Sequence, residues 1–200
     1  MKLSVLIPVY NQQELVLRAL DSIPVRDDIE VLVYDDGSTD KTFVNVVDWC
    51  SKHQAMQIST TACGANKGVA AAMNWLYDNA KGEYVVALGS DDYFITPEFE
   101  KALEQLDGTD MVYFNLEIND GSLFVLTPQN KTGYCGSVKF IRREFLGDTR
   151  CPDKKAGEDY DFNKELLAKN PTEKFTNLTV KHYNYPREGS LFWQLKNGRI

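Results

Sequence analysis

Leu3-Ser4-Val5-Leu6-Ile7-Pro8-Val9-Tyr10 and Ile29-Glu30-Val31-Leu32-Val33-Tyr34 are two short, mostly apolar runs, and each is followed at once by polar, turn-forming residues. Both read as buried strands. Between them, Asn11 followed by Glu14 resembles an N-cap with a capping carboxylate, which predicts a helix to about Ser22. After the second run, Phe43, Val46, Val47 and Cys50 recur at helical spacing behind the caps expected at Ser38 and Thr39. The order is strand, helix, strand, helix.

The alternation continues. Gln57 to Thr61 reads as a third strand. Val69, Ala72, Met73, Leu76 and Ala80 mark a helix face ending near Gly82, and Tyr84 to Leu88 is a fourth strand. Thr96 before Pro97 starts a helix that buries Ala102, Leu103 and Leu106. Strands alternating with helices predict an α/β fold with a mixed, mainly parallel sheet flanked by helices.

The second half changes character. Met111 to Ile118 and Leu123 to Leu126 flank Asn119-Asp120-Gly121, a hairpin signal that predicts mixed strands at the sheet's edge. Helices are expected near Val138 to Leu146 and Gly157 to Ala168, the latter stopped by Asn170-Pro171, with a last strand from Phe175 to Tyr185. There is no repeat, low-complexity tract or interdomain linker, so residues 1–200 are expected to form a single domain.

Composition narrows the function. The net charge of −7 argues against a general nucleic-acid binder, because phosphate backbones are held by clustered lysine and arginine. No run approaches the roughly 18 consecutive apolar residues of a membrane span, and Met1 to Tyr10 lacks a charged n-region followed by a long apolar stretch, so a cytoplasmic protein is expected. The four cysteines, Cys50, Cys63, Cys135 and Cys151, fall singly and read as free thiols. With only His53 and His182 available, any metal is left to carboxylates. His182 in the last strand reads as structural, Trp49 and Trp75 as core, and Trp193 as a docking surface or a frayed end.

Ligands of parallel sheets bind beyond the carboxyl ends of the strands. Strand one there ends in Pro8-Val9-Tyr10-Asn11, strand two in Asp35-Asp36-Gly37-Ser38-Thr39-Asp40, and strand four in Gly89-Ser90-Asp91-Asp92. Carboxylates at such a place accept hydrogen bonds from a base or ribose, or ligate a hard cation that neutralises a diphosphate. Neither a G-x-G-x-x-G nor a G-x-x-x-x-G-K-[ST] follows a strand, which weakens dinucleotide oxidoreductase and P-loop readings.

Taken in order, these residues resemble the family 2 glycosyltransferases, whose catalytic domain has the GT-A fold. The resemblance spans Ser4 to Asn11, Asp35 to Thr42, Asn66-Lys67-Gly68 with Asn74, Gly82-Glu83-Tyr84, Ser90-Asp91-Asp92-Tyr93-Phe94, Gly157-Glu158-Asp159 and Arg187-Glu188-Gly189-Ser190. It implies an inverting transferase that takes a sugar from a nucleoside diphosphate donor, with a UDP-sugar expected and Mn2+ or Mg2+ as cofactor. A glycan or other hydroxyl compound would be the acceptor. Residues 1–92 would form the donor half and 93–200 the acceptor half. Asp35 and Asp36 would contact the base, with Pro8 and Tyr10 walling the pocket and Asn66, Gly68 and Ser90 contributing to it. Asp91 would be the principal metal ligand and Asp92 its neighbour at the metal, while Arg187 and Ser190 would reach the diphosphate. Asp159 would be the catalytic base, assisted by Glu158.

The same residues have plainer uses. Asp35, Asp36 and Asp40 suit a turn and helix start, Asp91 and Asp92 a solvated loop, and Glu158 and Asp159 a helix's first turn. Two departures stand out: Gly89 where the family often has aspartate, putting a ribose contact in doubt, and Met73 where it often has arginine, putting a phosphate contact in doubt. The chain is short for the family and shows no membrane-binding tail, so a partner protein or peripheral membrane contact is expected to help capture the acceptor. The alternatives are a non-catalytic sugar-nucleotide-binding protein and a nucleotidyltransferase. Intact Asp91 and Asp159 count against the first, and the missing glycine- and basic-rich phosphate loop against the second.

Overall fold

The computed structural model describes residues 1–131, 137–154 and 156–188; Cys135, Gly189, Ser190 and Trp193 lie outside them. The alternation read from the sequence is present. β1 (Leu3–Val9), α1 (Leu15–Asp21), β2 (Ile29–Asp35), α2 (Thr42–Lys52), β3 (Gln57–Ala62), α3 (Val69–Asn79) and β4 (Tyr84–Ala87) follow in order. Then come β5 (Tyr93–Phe94), α4 (Thr96–Leu103), β6 (Met111–Ile118), β7 (Leu123–Phe124), β8 (Lys139–Arg142), α5 (Arg143–Leu146), α6 (Glu158–Ala168) and β9 (Glu173–Tyr183).

Among the described residues the strands form one sheet in the order β3-β2-β1-β4-β8-β6-β9-β5, with β7 paired to β6. The β3-β2-β1-β4 half is parallel throughout. β8 runs antiparallel to both β4 and β6, while β9 is parallel to β6. Every residue of β1 except Pro8 is buried, and all of β2 is, because helices cover both faces of this half. Leu6, Ile7, Leu20, Leu76, Phe99 and Phe140 belong to one continuous core.

Three local expectations are corrected. Asn11 is not the cap of α1, which begins at Leu15 and has no side-chain cap. It adopts a left-handed backbone with φ 49°, its N–H donates to Ser38 Oγ, and its Oδ1 accepts the Thr39 N–H at 2.8 Å. Asn11, Ser38 and Thr39 thus lock the loops after β1 and β2 to each other. At α2 the first N–H is met by Asp40, whose Oδ1 accepts from Thr42 N at 2.9 Å.

Residues 139–142, expected within a helix, form β8, and only the single turn of α5 follows. Val138, Phe140 and Ile141 satisfy either period. The slot between β4 and β6 supplies ladder partners on both sides, so tertiary pairing decides the matter. The second-half strands therefore extend the sheet instead of merely edging it.

At the amino ends of the strands, Glu30 Oε1 accepts from Ser4 Oγ at 2.5 Å and from the Lys81 and Gly82 N–H groups at 2.5 and 3.1 Å. A Cβ on Gly82 would lie 2.5 Å from Ser4 N and 2.6 Å from Leu3 C, both backbone atoms that cannot yield. Gly82→Ala is therefore expected to cost about 1–3 kcal/mol, the usual range for overpacking, read as a lower urea midpoint at unchanged slope.

Candidate active site

The strand order reverses between β1 and β4, since β2 and β3 lie on one side and β8 onward on the other. Such a switch point opens a crevice at the carboxyl ends. The β1–β4 register ends at Leu6↔Ala87, and Leu88 N–H then donates to Leu6 O at 2.9 Å. Pro8, two residues on, points its backbone to the same side, past the end of that ladder, and so leaves no bond unmade for want of an N–H. The strands part there. A cavity of about 210 Å3 lies in the gap, lined among others by Pro8, Met73, Gly89, Lys139, Glu158 and Asp159. A wider depression of about 530 Å3, bounded by Met1, Lys81, Glu83 and Arg142 to Glu144, lies at the opposite, amino end and gathers none of the expected site residues. The smaller cavity is the one that gathers expected site residues, Pro8 from the end of β1 and Glu158 and Asp159 from the start of α6, with Gly89 from just after β4.

The two aspartates after β2 are used differently. Asp36 accepts the Lys67 N–H on Oδ1 at 2.9 Å and the Gly68 N–H on Oδ2 at 2.8 Å, so it clasps the loop that starts α3. Asp35 is 1% exposed; its Oδ1 accepts the Ser38 N–H, while Oδ2 is buried without a partner among the described residues. An orphaned buried carboxylate oxygen is costly and points to a missing donor. Gly37 lets these loops approach: it has φ +79°, and a Cβ would meet the Ala65 and Asn66 backbone at 2.7–2.8 Å. Tyr10 and Asn66 are exposed on this side, and Gly68, with φ 90°, precedes α3.

The two aspartates after β4 are also separated in role. Asp91 is half-buried; its Oδ2 accepts from Arg187 Nε at 2.7 Å, and its carbonyl accepts from Arg18 Nη2 at 2.6 Å. Asp92 is buried against Lys181, and Ser90 beside them is buried too. A Cβ on Gly89 would come within 2.9 Å of Asp92 Oδ2 and 3.2 Å of Asp91 Oδ1. An aspartate at this position would crowd the carboxylates that follow it, which gives the departure at Gly89 a physical reason.

Across the cavity, α6 begins with Glu158, Asp159 and Asp161 in its first turn, where acids complement the helix dipole. Burial and the adjacent Asp159 push the Glu158 carboxyl above its usual range. Burial, with the charges of Glu158 and Asp159, pushes the Cys151 thiol up to about 12, which makes it inert as a thiolate. Asn74 fixes the approach to this helix: its Oδ1 accepts the Cys151 N–H at 2.8 Å and its Nδ2 donates to the Cys151 carbonyl at 2.9 Å.

Sequence reasoning missed Arg18, Lys139 and Lys181, and treated Asn74 only as part of a motif. Arg18 also lies 4.8 Å over the Tyr93 ring, which stacks on His182 at 4.6 Å. No local pattern marks these residues: Arg18 meets Asp91, Lys181 meets Asp92 and Asn74 meets Cys151, each more than 70 positions away.

Whether this site suits a divalent cation is a question of donors. Among the described residues, no group of three or more His, Cys, Asp or Glu gathers that could hold a metal. The arrangement therefore does not fit a protein-built cage. It does fit a hard cation held by one carboxylate and the oxygens of a bound diphosphate, the usual mode for Mg2+ at phosphate substrates. Asp91, half-buried with Oδ2 paired to Arg187, is the carboxylate that could take that part.

The sheet, its switch-point crevice and the flanking helices define the GT-A class of α/β fold. Residues 4–162 match the model of glycosyl transferase family 2, and the chain belongs to that family. It is 29% identical over 200 residues to the Escherichia coli protein named UDP-Glc:alpha-D-GlcNAc-diphosphoundecaprenol beta-1,3-glucosyltransferase WfaP, covering 90% of this chain and 76% of that one. It is 32% identical over 114 residues to an uncharacterized glycosyltransferase of Rickettsia felis, covering 56% of this chain but 18% of that much longer protein. Among solved structures, S. aureus TarS 1-349 in complex with UDP-GlcNAc superposes with a TM-score of 0.82 at 22% identity, over 95% of this chain and 60% of that one. Mannosyltransferase PcManGT from Pyrobaculum calidifontis, in complex with GDP-Man and Mn2+, gives 0.75 at 22% identity, over 99% and 61%. The chain thus spans about three fifths of these two solved chains.

No helix among the described residues is long and apolar enough to cross a membrane.

Proposed function

We propose that this chain transfers a glycosyl group, with inversion, from a nucleoside diphosphate sugar to a hydroxyl acceptor. The observation that carries the reading is the switch-point cavity, lined by Glu158 and Asp159 and by Gly89, on which a Cβ would lie 3.2 Å from Asp91 Oδ1. The named activity of the E. coli relative and the donors bound by TarS and PcManGT support it.

In this reading the orphan Oδ2 of Asp35 accepts an N–H of the base, with Pro8 and Tyr10 walling that pocket. Asp36 acts one step back, holding the Asn66 to Gly68 loop against the nucleotide. Arg187 turns from Asp91 to the diphosphate, with Ser190 as a second donor. Asp159 takes the proton of the acceptor hydroxyl as its oxygen attacks the anomeric carbon. Glu158, buried beside it, positions Asp159 and the acceptor. Asp91 would hold Mn2+ or Mg2+, which supplies charge stabilisation to the departing nucleoside diphosphate. A UDP-sugar is the donor and a lipid-linked saccharide the acceptor to try first, since the relative's name contains both.

The test is a thermal-shift panel of UDP, GDP and dTDP with their sugars, each with and without Mn2+. A ligand that binds only the native state raises the midpoint as its concentration passes Kd, by about 2.7 kcal/mol of stability at 100 Kd. UDP compounds with Mn2+ are expected to give the largest shift. A larger response to guanine or thymine nucleotides overturns the uridine preference, and silence from all of them overturns the donor site.

A further inference from the structure

We propose that Lys181 is the positioning residue of the acidic loop after β4, fixing through Asp92 the backbone from which Asp91 meets the cation and the diphosphate. The inference rests on the donor-site reading above. Lys181 is 1% exposed and Asp92 2% exposed, with Lys181 Nζ 3.0 Å from Asp92 Oδ2. The ammonium also donates to Ser137 Oγ, and Asp92 Oδ1 accepts the Asn184 N–H at 2.9 Å. Both oxygens of Asp92 are thus engaged by β9 and the residues just beyond it. Asp91, one residue earlier, carries the opposite setting: half-buried, and paired with Arg187 at the end of the same segment.

Adjacent carboxylates repel, and a loop holding two free ones has no single preferred orientation toward a cation. Lys181 cancels one charge in a place where water cannot, so the loop keeps one anchored acid and presents the other. An apolar pair of the same volume could hold the fold as well. What the ion pair adds is direction, because Asp92 reaches its partners only when the loop turns Asp91 outward. Arg18, donating to the Asp91 carbonyl, holds the same turn from the other side.

The experiment titrates Mn2+ against UDP binding in the full chain, beside UDP binding without metal. Lys181→Met is the first variant; the Lys181→Met, Asp92→Leu double variant removes both buried charges together and carries the test if the single variant does not fold. Each folded variant is expected to need about tenfold more Mn2+ for half-saturation, the usual scale for losing a support behind a metal ligand, with metal-free UDP affinity unchanged.

A Mn2+ response within twofold of the wild type overturns the proposal. An equal loss of metal-free UDP affinity also overturns it, by marking general damage to the fold. Tighter Mn2+ binding in Lys181→Met, or complete loss of the response in the double variant, overturns it by identifying Asp92 as a ligand that Lys181 masks. If wild-type protein binds UDP with no Mn2+ dependence, the cation reading falls and takes this inference with it, an outcome visible before any variant is made.

Discussion

Asp159→Asn is expected to bind donor like the wild type while transfer to acceptor falls by about 100- to 10,000-fold, the range a positioned general base contributes. The asparagine keeps the size and the backbone contact, since Asp159 Oδ1 accepts the neighbouring Tyr160 N–H at 2.8 Å and a carboxamide oxygen can do the same. What it loses is the capacity to take a proton. Donor binding survives because Asp35, the 66–68 loop and Asp91 lie on other elements. Product formation and UDP binding, measured on the same preparation, separate the two effects.

Glu158→Gln is the companion. Burial pushes the Glu158 carboxyl above its usual range, so the charged form is disfavoured there and a neutral amide is tolerated. More activity should remain in Glu158→Gln than in Asp159→Asn. The reverse order exchanges the two roles, and full activity in both removes the helix start of α6 from the chemistry. A product that keeps the donor's anomeric configuration rejects the single displacement, whichever carboxylate is essential.

The first half of the fold was legible because local and global signals agree there. Strand and helix periods alternate cleanly from Leu3 to Ala87, and the β3-β2-β1-β4 order places the acidic ends of β2 and β4 on either side of β1 at the carboxyl edge. In the second half the pattern underdetermines the structure. Lys139 to Arg142 reads as either period, and only the open ladders of β4 and β6 select the strand.

The candidate site could be read as residue types at strand ends, but which of them the protein itself engages could not. Asp35 and Asp36 are identical in sequence terms, and so are Asp91 and Asp92. In each pair both oxygens of one member accept from the protein, whereas in the other one oxygen does: Asp35 Oδ1 from Ser38 and Asp91 Oδ2 from Arg187. For Asp36 the partners are backbone N–H groups at Lys67 and Gly68; for Asp92 they are Lys181 and Asn184, about 90 residues away. Caps failed as signals for the same reason: the Asn11 N–H donates to Ser38 Oγ and Asn11 Oδ1 accepts from Thr39, joining two loops instead of starting two helices.

Asp91→Asn should remove the Mn2+ dependence of donor binding without unfolding the chain. The substitution keeps the shape and an oxygen that can accept from Arg187 Nε, so the segment just after β9 stays in place. It withdraws the charge, and a hard cation held by one protein carboxylate and the diphosphate loses its protein anchor. UDP binding without metal should be unchanged, because the contacts at Asp35 are untouched. The thermal midpoint without ligand should move little, since Asp91 is half-buried and surface-type ion pairs contribute about 0–1 kcal/mol. Asp35→Ala should behave oppositely, weakening UDP with or without Mn2+, because it removes the orphan oxygen assigned to the base. Calorimetric titration of UDP at zero and saturating Mn2+ gives all of these from one set of proteins. A normal Mn2+ response in Asp91→Asn removes Asp91 from the metal. A metal-free UDP affinity that falls in Asp91→Asn as far as it does in Asp35→Ala places both residues in one nucleotide contact, leaving the acidic loop without a separate role at the diphosphate.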